Sequence, residues 1–324
     1  MSIKTKTLDI LENNKGKFIS GEDLAKSLNV SRNSIWKAIN SLKKEGYNIS
    51  SITNKGYCLN LNNNILSSES ILKYLKTDFF DIEVHKTINS TNTYVKELAV
   101  NGEKEGLVVI SEEQTSGRGR FSRKFYSPKG TGIYMSILLR PHLHASNSYL
   151  ITSSAAVAIC NAIDFISNKE SKIKWVNDIY LDNKKVSGVL TEASLDFESG
   201  LIDYAVLGIG INVFEPEEGF EKEIETIATS IFDKEIKESG DIRSKLIAKI
   251  LENFLIYYKN IKNKEFLEPY KKRSFLINKE VNILYKNSTE KALVLDIDDE
   301  CRLKVKLKDG TIKFLSSGEV SLKL

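Results

Sequence analysis

The chain has 324 residues, of which 41% are hydrophobic and 28% charged, and its net charge is +4. This length predicts two or three domains, and the apolar fraction is high enough for packed cores, which excludes a wholly disordered chain. The N-terminus lacks the apolar run of a signal peptide, and no segment approaches the ~20 apolar residues that cross a bilayer. The sequence therefore predicts a cytoplasmic protein with no membrane partner.

The chain offers little for metal or disulfide chemistry. Its three cysteines, Cys58, Cys160 and Cys301, are far apart and include no Cys-x-x-Cys pair. Such spacing is typical of reduced, buried thiols in a cytosolic protein. With only three histidines in addition, the sequence predicts no metal site made of its own side chains.

The positive charge is concentrated at the N-terminus. Residues 1–60 contain ten Lys or Arg and five Asp or Glu, a net charge of +5, so the remaining 264 residues sum to −1. A basic excess confined to one segment is typical of a nucleic-acid-binding module.

The same segment has the element order of a winged helix-turn-helix. A short amphipathic helix, "KTKTLDILENN", precedes "SGEDLAKSL" and "SRNSIWKAINSLKKEG", two predicted helices that begin after the N-caps Ser20 and Ser31. Two short strands, "YNIS" and "GYCLNL", predict the wing. The alternative is a small helical protein-interaction domain whose charges are solvated. The residues expected to contact DNA are Ser31, Arg32, Asn33, Lys37 and Lys55.

Strands and helices alternate after the polar stretch "LNNNILSSES", which predicts a domain boundary followed by an α/β or α+β layer structure. Six strands are predicted in the central region, with buried or amphipathic helices between and after them. From Lys279 onward, four short alternating segments, "VNILY", "KALVLDID", "RLKVKLK" and "TIKFLS", predict a small antiparallel barrel.

One loop, "SEEQTSGRGRFSRKF", combines four cations with two glycines. Gly117 and Gly119 allow the backbone to approach a ligand closely, and arginines offer forked donors to phosphate or carboxylate oxygens. The pattern indicates an anion-binding loop, although a disordered cationic loop is a close alternative. The cations are Arg118, Arg120, Arg123 and Lys124.

Three further motifs carry polar side chains. Ser90, Thr91 and Asn92 stand at a strand-to-helix junction, where they either cap the helix or bind a neutral polar ligand such as a cyclic urea. The stretch "KWVNDIYLDNKKVSGVLTE" predicts a hairpin, and "GIGIN" ends a strand without matching Gly-x-Gly-x-x-Gly, so a dinucleotide site has little support. The hairpin carries Trp175, Asn177, Asp178, Lys185 and Gly188.

The ordered set "STN", "QTSGRGR", "KWVNDIY", "KKVSGVLTE" and "GIGIN" resembles the biotin–protein ligases. Together with the helix-turn-helix it is similar to the bifunctional bacterial type that also represses the biotin operon. The resemblance implies a multidomain α+β protein with a winged helix-turn-helix (1–62), a central α/β, class II synthetase-like ligase domain (63–272) and an SH3-like barrel (273–324).

The resemblance also implies the reaction and its partners. Biotin and ATP, with Mg²⁺, would give biotinyl-5′-AMP and pyrophosphate, and biotin would then pass to a lysine of biotin carboxyl carrier protein. Operator DNA upstream of biotin genes and a ligand-promoted homodimer would serve repression. Two alternatives stay open: a biotin-responsive repressor without ligase activity, and a lipoyl-type acyl ligase on the related fold.

Roles for individual residues follow from the same resemblance. The expected catalytic residues are Arg118, Arg120, Lys185 and Asp178, with Lys185 neutralising the carboxylate or phosphate and Asp178 positioning or deprotonating the acceptor lysine. The expected biotin-binding residues are Ser90, Thr91, Asn92, Gln114, Arg118, Gly119, Arg120, Lys185 and Gly188. The expected adenylate-binding residues are Arg123, Asn177 and Asn212.

The loop departs from the family pattern at several positions. Phe121 and Ser122 stand where Arg and Gly are usual, Phe125 replaces a tryptophan, and Val176 replaces a proline. Because three loop arginines are kept, we expect activity to survive. The departures are expected to affect loop dynamics and retention of the adenylate.

Overall fold

The structure is a computed structural model that describes residues 2–233, 240–284 and 288–322. These residues form eight α-helices and fourteen β-strands. The helices are α1 (Ile3–Asn13), α2 (Gly21–Leu28), α3 (Arg32–Lys44), α4 (Ser68–Leu72), α5 (Thr91–Val100), α6 (Tyr149–Ser167), α7 (Ile242–Lys259) and α8 (Leu267–Arg273). The strands are β1 (Ile49–Ile52), β2 (Gly56–Leu59), β3 (Asp81–His85), β4 (Leu107–Ser111), β5 (Gly132–Leu139), β6 (Lys172–Lys174), β7 (Asp178–Leu181), β8 (Lys184–Leu195), β9 (Ile202–Asn212), β10 (Glu280–Leu284), β11 (Thr289–Ile297), β12 (Leu303–Leu307), β13 (Ile312–Leu315) and β14 (Glu319–Leu322).

The N-terminal helices and the β1–β2 hairpin form the predicted winged helix. Ser20 and Ser31 are N-caps whose side chains accept hydrogen bonds from the third residue of α2 and of α3. Strands β1 and β2 pair antiparallel, from Ile49 opposite Leu59 to Ile52 opposite Gly56. The three helices share one hydrophobic core with the hairpin, which confirms the fold predicted for this segment.

The centre of the molecule is a seven-stranded sheet in the order β3-β4-β5-β9-β8-β7-β6. Only β3 and β4 pair in parallel, and every other neighbouring pair is antiparallel. Helix α5 packs on one face through the core of Val95, Ala99 and Val206. Helices α6 and α7 pack on the other face, in the largest core of the molecule. The central sheet therefore has helices on both faces, in keeping with the predicted layer structure of strands and helices.

Helix α6 is the buried core helix of this domain. Twelve of its 19 residues are buried. By length and hydropathy alone, the segment Ala145–Ser167 could cross a membrane, which differs from the expectation that no segment is long and apolar enough. However, 67% of its apolar window is buried inside the protein. An all-round apolar helix of this kind is typical of the interior of a large domain.

Strands β10 to β14 form a five-stranded antiparallel sheet in the order β13-β12-β11-β10-β14. Four of them correspond to predicted strands, and β14 was not predicted. The hydrophobic core of this five-stranded sheet is continuous with that of the central domain. Trp175 Nε1 donates a hydrogen bond of 2.8 Å to the carbonyl of Cys301 in this sheet. The C-terminal sheet is therefore attached directly to the central hairpin region.

A buried ion pair joins the segment after the wing to the central domain. Arg243 at the start of α7 donates to both carboxylate oxygens of Glu112, at 2.7 and 3.1 Å. The same carboxylate accepts the backbone N–H of Leu66 at 2.7 Å. Arg243 is 2% exposed, so its charge is compensated inside the protein and not by water.

A second polar cluster lies between α1 and the central domain. Lys15 pairs with Asp241, and Tyr74 donates a hydrogen bond of 2.6 Å to the same carboxylate. Both carboxylate oxygens of Glu12 are buried without a hydrogen-bond partner, and Lys15 Nζ is 3.9 Å from one of them. Burial raises the pKa of Glu12 to about 7, although Lys15 opposes the shift.

This pKa shift predicts a pH-dependent stability. Because folding raises the pKa above 4.5, ionised Glu12 disfavours the folded state, and the penalty grows from about pH 4.5 to pH 7. Glu12→Gln is therefore expected to gain stability over the wild type by roughly 2–3 kcal/mol more at pH 8 than at pH 5. Urea denaturation at the two pH values measures the difference. A gain that does not change with pH would contradict the assignment.

Candidate active site

The candidate site lies on the α5 face of the central sheet, and alternating glycines make room for it. Along β9, Ile209 and Ile211 point into the core on the opposite face. A Cβ atom on Gly208 would come within 2.1 Å of Asn92 Oδ1, and one on Gly210 within 2.6 Å of the Phe125 ring. The "GIGIN" motif therefore serves close approach to a cavity, which explains why it does not follow the dinucleotide-binding pattern.

The cavity has a volume of about 250 Å³. It brings together all of the site residues predicted in the central domain, which come from α5, β7, β8, β9 and the cationic loop. Those residues are Ser90, Thr91, Asn92, Gln114, Arg118, Gly119, Arg120, Arg123, Asn177, Asp178, Lys185, Gly188 and Asn212.

One end of the cavity is a network of neutral polar groups at the start of α5. Gln114 Oε1 accepts hydrogen bonds from the backbone N–H (2.9 Å) and hydroxyl (3.1 Å) of Thr91. Ser136 on β5 donates a 2.6 Å hydrogen bond to Asn92 Oδ1. Ser90 precedes the helix, but its side chain makes no capping hydrogen bond. A capping hydrogen bond therefore does not account for Ser90, and hydrogen bonds within the protein fix the side chains of Thr91 and Asn92 at this end of the cavity.

A carboxylate on β8 orients this end of the cavity. Glu192 accepts a hydrogen bond of 2.8 Å from Asn92 Nδ2, pairs with Lys96, and lies 3.8 Å from Arg118 Nη2. Burial opposes its ionisation, but the hydrogen bonds from Lys96 and Asn92 outweigh burial, so the pKa of Glu192 is lowered. No role was predicted for Glu192, the last residue of the motif "KKVSGVLTE", whose charged state fixes the Asn92 amide.

The other end of the cavity carries charge. Lys185 Nζ lies 2.7 Å from Asp178 Oδ1. Lys185, predicted to neutralise the carboxylate or phosphate, is therefore paired with Asp178, predicted to position or deprotonate the acceptor lysine. A Cβ on the neighbouring Gly188 would lie 3.2 Å from the Lys185 ammonium. The missing side chain at Gly188 therefore leaves room for this ion pair to contact a ligand.

The cationic loop is folded as a short hairpin over the cavity. Gly119 N–H donates to the Arg123 carbonyl at 2.7 Å, and Phe125 N–H donates to the Gly117 carbonyl at 2.9 Å. Arg120 reaches across the cavity to Asn177 Oδ1 at 2.9 Å and to the Gly318 carbonyl at 3.3 Å. In this conformation Arg120 therefore ties the loop to both the central hairpin and the C-terminal sheet.

The positions that depart from the family pattern have distinct structural consequences. Phe125 packs edge-to-face on Tyr134, with ring centroids 6.4 Å apart, and lies over Gly210 as a wall of the cavity. Phe121 and Ser122 have φ angles of +55° and +59°, a left-handed conformation that favours glycine. The Trp175–Val176 peptide bond is cis.

Ser122→Gly should stabilise the closed loop, because glycine adopts a positive φ without the Cβ penalty of roughly 1 kcal/mol. The expected result is slower release of a bound adenylate, by up to about fivefold. Release is measured by chasing labelled biotinyl-5′-AMP with unlabelled ligand. Thr115→Gly, in the same loop, is the control and should not slow release. Faster release from the Ser122 variant would contradict the role of this backbone conformation.

Two walls of the cavity were not predicted from the sequence. Gly318 and Val320 come from the C-terminal sheet region, and Ile224, Ile227 and Ala228 come from the segment after β9. The latter segment is held against β8 by the Lys185 N–H, which donates to the Ile227 carbonyl at 2.8 Å. No local pattern distinguishes these residues, because they reach the site through contacts distant in the chain.

The predicted DNA-contacting residues form a separate surface. Arg32, Asn33 and Lys37 are exposed on α3, and Lys55 is exposed at the tip of the wing. Ser31 is the N-cap of α3, so its hydroxyl already accepts a backbone hydrogen bond. Lys43 on α3 donates a 2.7 Å hydrogen bond to Ser51 of β1, which holds the wing beside this helix.

Within residues 2–233, 240–284 and 288–322 there is no group of three or more His, Cys, Asp or Glu side chains able to hold a metal ion.

The fold and the site define a winged-helix protein joined to an α/β domain, whose cavity is lined by neutral polar groups at one end and by charged groups at the other. Residues 84–212 match the biotin/lipoate A/B protein ligase family, residues 4–58 match an HTH domain, and residues 276–323 match the biotin protein ligase C terminal domain. The chain is 33% identical to the bifunctional ligase/repressor BirA of Bacillus subtilis (strain 168), over 99% of both chains.

More distant relatives agree. The bifunctional ligase/repressor BirA of Escherichia coli (strain K12) is 28% identical over 99% of this chain and 98% of its own length. The biotin protein ligase from Aquifex aeolicus in complex with biotin and ATP superposes with a TM-score of 0.62 at 29% identity, over 75% of this chain and 98% of that one. This chain belongs to the biotin protein ligase family, among the members with an N-terminal helix-turn-helix domain.

Proposed function

We propose that this protein is a bifunctional ligase and repressor. As a ligase it activates biotin with Mg²⁺ATP to biotinyl-5′-AMP and transfers biotin to a lysine of biotin carboxyl carrier protein, in the cytoplasm. As a repressor it binds operator DNA upstream of biotin genes. The observation that carries the proposal is the single cavity that gathers a neutral polar end, an ion pair and a cationic loop.

The neutral end suits the ureido ring of biotin. Thr91 and Asn92 contribute a hydroxyl and an amide there, and a neutral head group needs both hydrogen-bond donors and acceptors. Apolar side chains along the sheet, including Met135 and Val189, suit the aliphatic part of the molecule. A pocket of this composition is typical of small-molecule sites.

The charged end suits the reacting groups. The attack of the biotin carboxylate on the α-phosphorus brings two anions together and places charge on the phosphoryl oxygens. Lys185 and the loop residues Arg118 and Arg123 would stabilise this charge, and the closed loop would keep water from the mixed anhydride. Asp178, once Lys185 turns to the ligand, would be free to position or deprotonate the acceptor lysine.

Transfer of labelled biotin tests the ligase. The protein is incubated with ATP, Mg²⁺, labelled biotin and a purified carrier domain, and label on the carrier is measured, with pyrophosphate release recorded in parallel. We expect both signals. Biotin binding without pyrophosphate release would contradict the ligase, and competition by an excess of lipoate would indicate a lipoyl-type enzyme instead.

The repressor function rests on the exposed cations of α3 and of the wing. A single winged helix of this charge binds DNA mainly through phosphates, so specificity needs two copies on a two-fold-symmetric operator. We therefore propose a homodimer favoured by biotinyl-5′-AMP, since a ligand that promotes the dimer must also be bound more tightly by it. Unbiotinylated carrier should oppose the dimer by consuming the adenylate.

A gel-shift titration tests this coupling. Operator binding should strengthen with biotin plus ATP and weaken when unbiotinylated carrier is added. Removal of residues 1–60 should abolish binding and leave ligase activity measurable, in keeping with proposed domains of 1–62, 63–272 and 273–324. Equal DNA binding with and without the adenylate would contradict the coupling.

A further inference from the structure

Helix α3, which carries most of the predicted DNA-contacting residues and is called the recognition helix below, exposes an aromatic side chain that has no part in the functions proposed above. Trp36 on α3 is 54% exposed, although α3 completes its buried face with Ile35, Ile39 and Leu42. Tryptophan is the side chain with the most apolar surface to bury, and leaving it in water is unfavourable unless a partner covers it.

The position of Trp36 indicates what that partner is. On a helix, residues three and four apart lie beside each other, so Trp36 neighbours Arg32, Asn33 and Asn40 on one face. Its flanking residues Arg32, Asn33 and Lys37 are exposed, and the face adjoins the wing through the Lys43–Ser51 hydrogen bond. The ring is therefore the apolar centre of a polar and cationic surface, next to a hairpin that itself carries Lys55.

A duplex offers one apolar group to such a surface. In the major groove, the C5-methyl group of thymine is the apolar feature that distinguishes T·A pairs, whereas phosphates carry no sequence information. Cations around the ring are suited to the phosphates, and the ring is suited to the methyl groups.

We propose that Trp36 is a specificity-determining residue that packs against thymine methyl groups in each operator half-site. The inference rests on the proposed DNA-binding function and refines it by naming the base feature that is recognised. Arg32 and Lys37 set the affinity through phosphates, and Trp36 adds the preference for T·A pairs at the positions under its ring.

The test replaces thymine by deoxyuracil, which removes only the methyl group. A duplex is first selected from a random pool by the full chain with biotin and ATP, and each thymine of one half-site and its symmetry mate is then changed to deoxyuracil. Wild-type protein is expected to lose about fourfold in affinity per methyl group contacted. Trp36→Ala should bind the thymine duplex more weakly and lose the distinction between the two bases. Trp36→Phe should keep part of it.

A matched control is available in the same domain. Phe18 is 40% exposed and lies outside α3, so Phe18→Ala removes an exposed ring without touching the recognition helix and should keep the wild-type preference for thymine. Because Trp36→Ala removes no charge, the salt dependence of binding should not change.

The outcomes separate the inference from the function on which it rests. If wild type and Trp36→Ala show the same thymine preference, or wild type shows none at any position, the inference is overturned while the repressor stands. If the full chain selects no sequence, the repressor function fails and the inference fails with it.

Discussion

Lys185→Ala is expected to lower the rate of biotinyl-5′-AMP formation by about 10²–10³-fold, the largest effect on activity that a single side chain of the site should have. The ammonium lies in the cavity, 2.7 Å from Asp178, and its removal leaves a carboxylate beside the place where two anions must meet. The loss then has two sources: the missing positive charge and the uncompensated negative one. Pyrophosphate release from ATP in the presence of biotin measures the effect.

Two further variants separate these sources. Lys184→Ala makes the same change in charge one residue away, on an exposed side chain that donates to the Glu225 carbonyl outside the cavity, and should leave the rate nearly unchanged. Asp178→Asn combined with Lys185→Ala removes both charges. If the double variant recovers most of the activity, Lys185 acts only by neutralising Asp178, and its proposed role toward the substrate is wrong.

Arg243→Met is expected to have the largest effect on stability, a loss of about 3–5 kcal/mol. The substitution keeps most of the volume but leaves Glu112 ionised inside the protein, and Glu112 also holds the Leu66 N–H at the end of the interdomain segment. In the folded variant the Glu112 carboxylate is then either charged without a partner or protonated, and both states cost free energy. Urea denaturation should show the loss. With Trp36 replaced by phenylalanine, the fluorescence of Trp175 reports the central domain alone, because the chain has two tryptophans.

A double variant at the same ion pair tests whether the loss of stability comes from the uncompensated charge of Glu112. Arg243→Met with Glu112→Gln removes both charges and keeps an acceptor for the Leu66 N–H, so it should recover much of the lost stability. Arg273→Met serves as the less buried control, since Arg273 and its partner Asp164 are 20% and 25% exposed, and should cost less. Equal losses for Arg243→Met and Arg273→Met would contradict the argument from burial.

Sequence patterns were sufficient wherever the cause of a structure is local. Serine caps and helical spacing identified α2 and α3, and alternation identified four of the five strands of the C-terminal sheet, because each depends on residues close together in the chain. The stretch "KWVNDIYLDNKKVSGVLTE" was predicted as a hairpin with a strand at each end, and the structure has a further strand, β7, between β6 and β8. The pairing of β7 with β8 also contains a register shift between Ile179 and Tyr180.

The candidate site divides in the same way. The motifs identified thirteen residues that line one cavity, because a family motif preserves the chemistry of a site along the chain. Glu192 and Gly318 were not identified. Glu192 accepts a hydrogen bond from Asn92, 100 residues away in the chain, and the Gly318 carbonyl accepts one from Arg120, 198 residues away. Contacts between residues so far apart leave no periodic pattern in the local sequence.

What the sequence by itself determined is therefore the set of domains, the order of their elements and the chemical groups of the site. Only the tertiary structure decided how these groups are paired and which of them meet water. It placed Glu12 in an interior where burial raises its pKa to about 7, it enclosed Arg243, and it left Trp36 exposed on α3. The physical reason is that burial and charge compensation depend on every segment that packs around a group, and those segments come together only when the whole chain has folded.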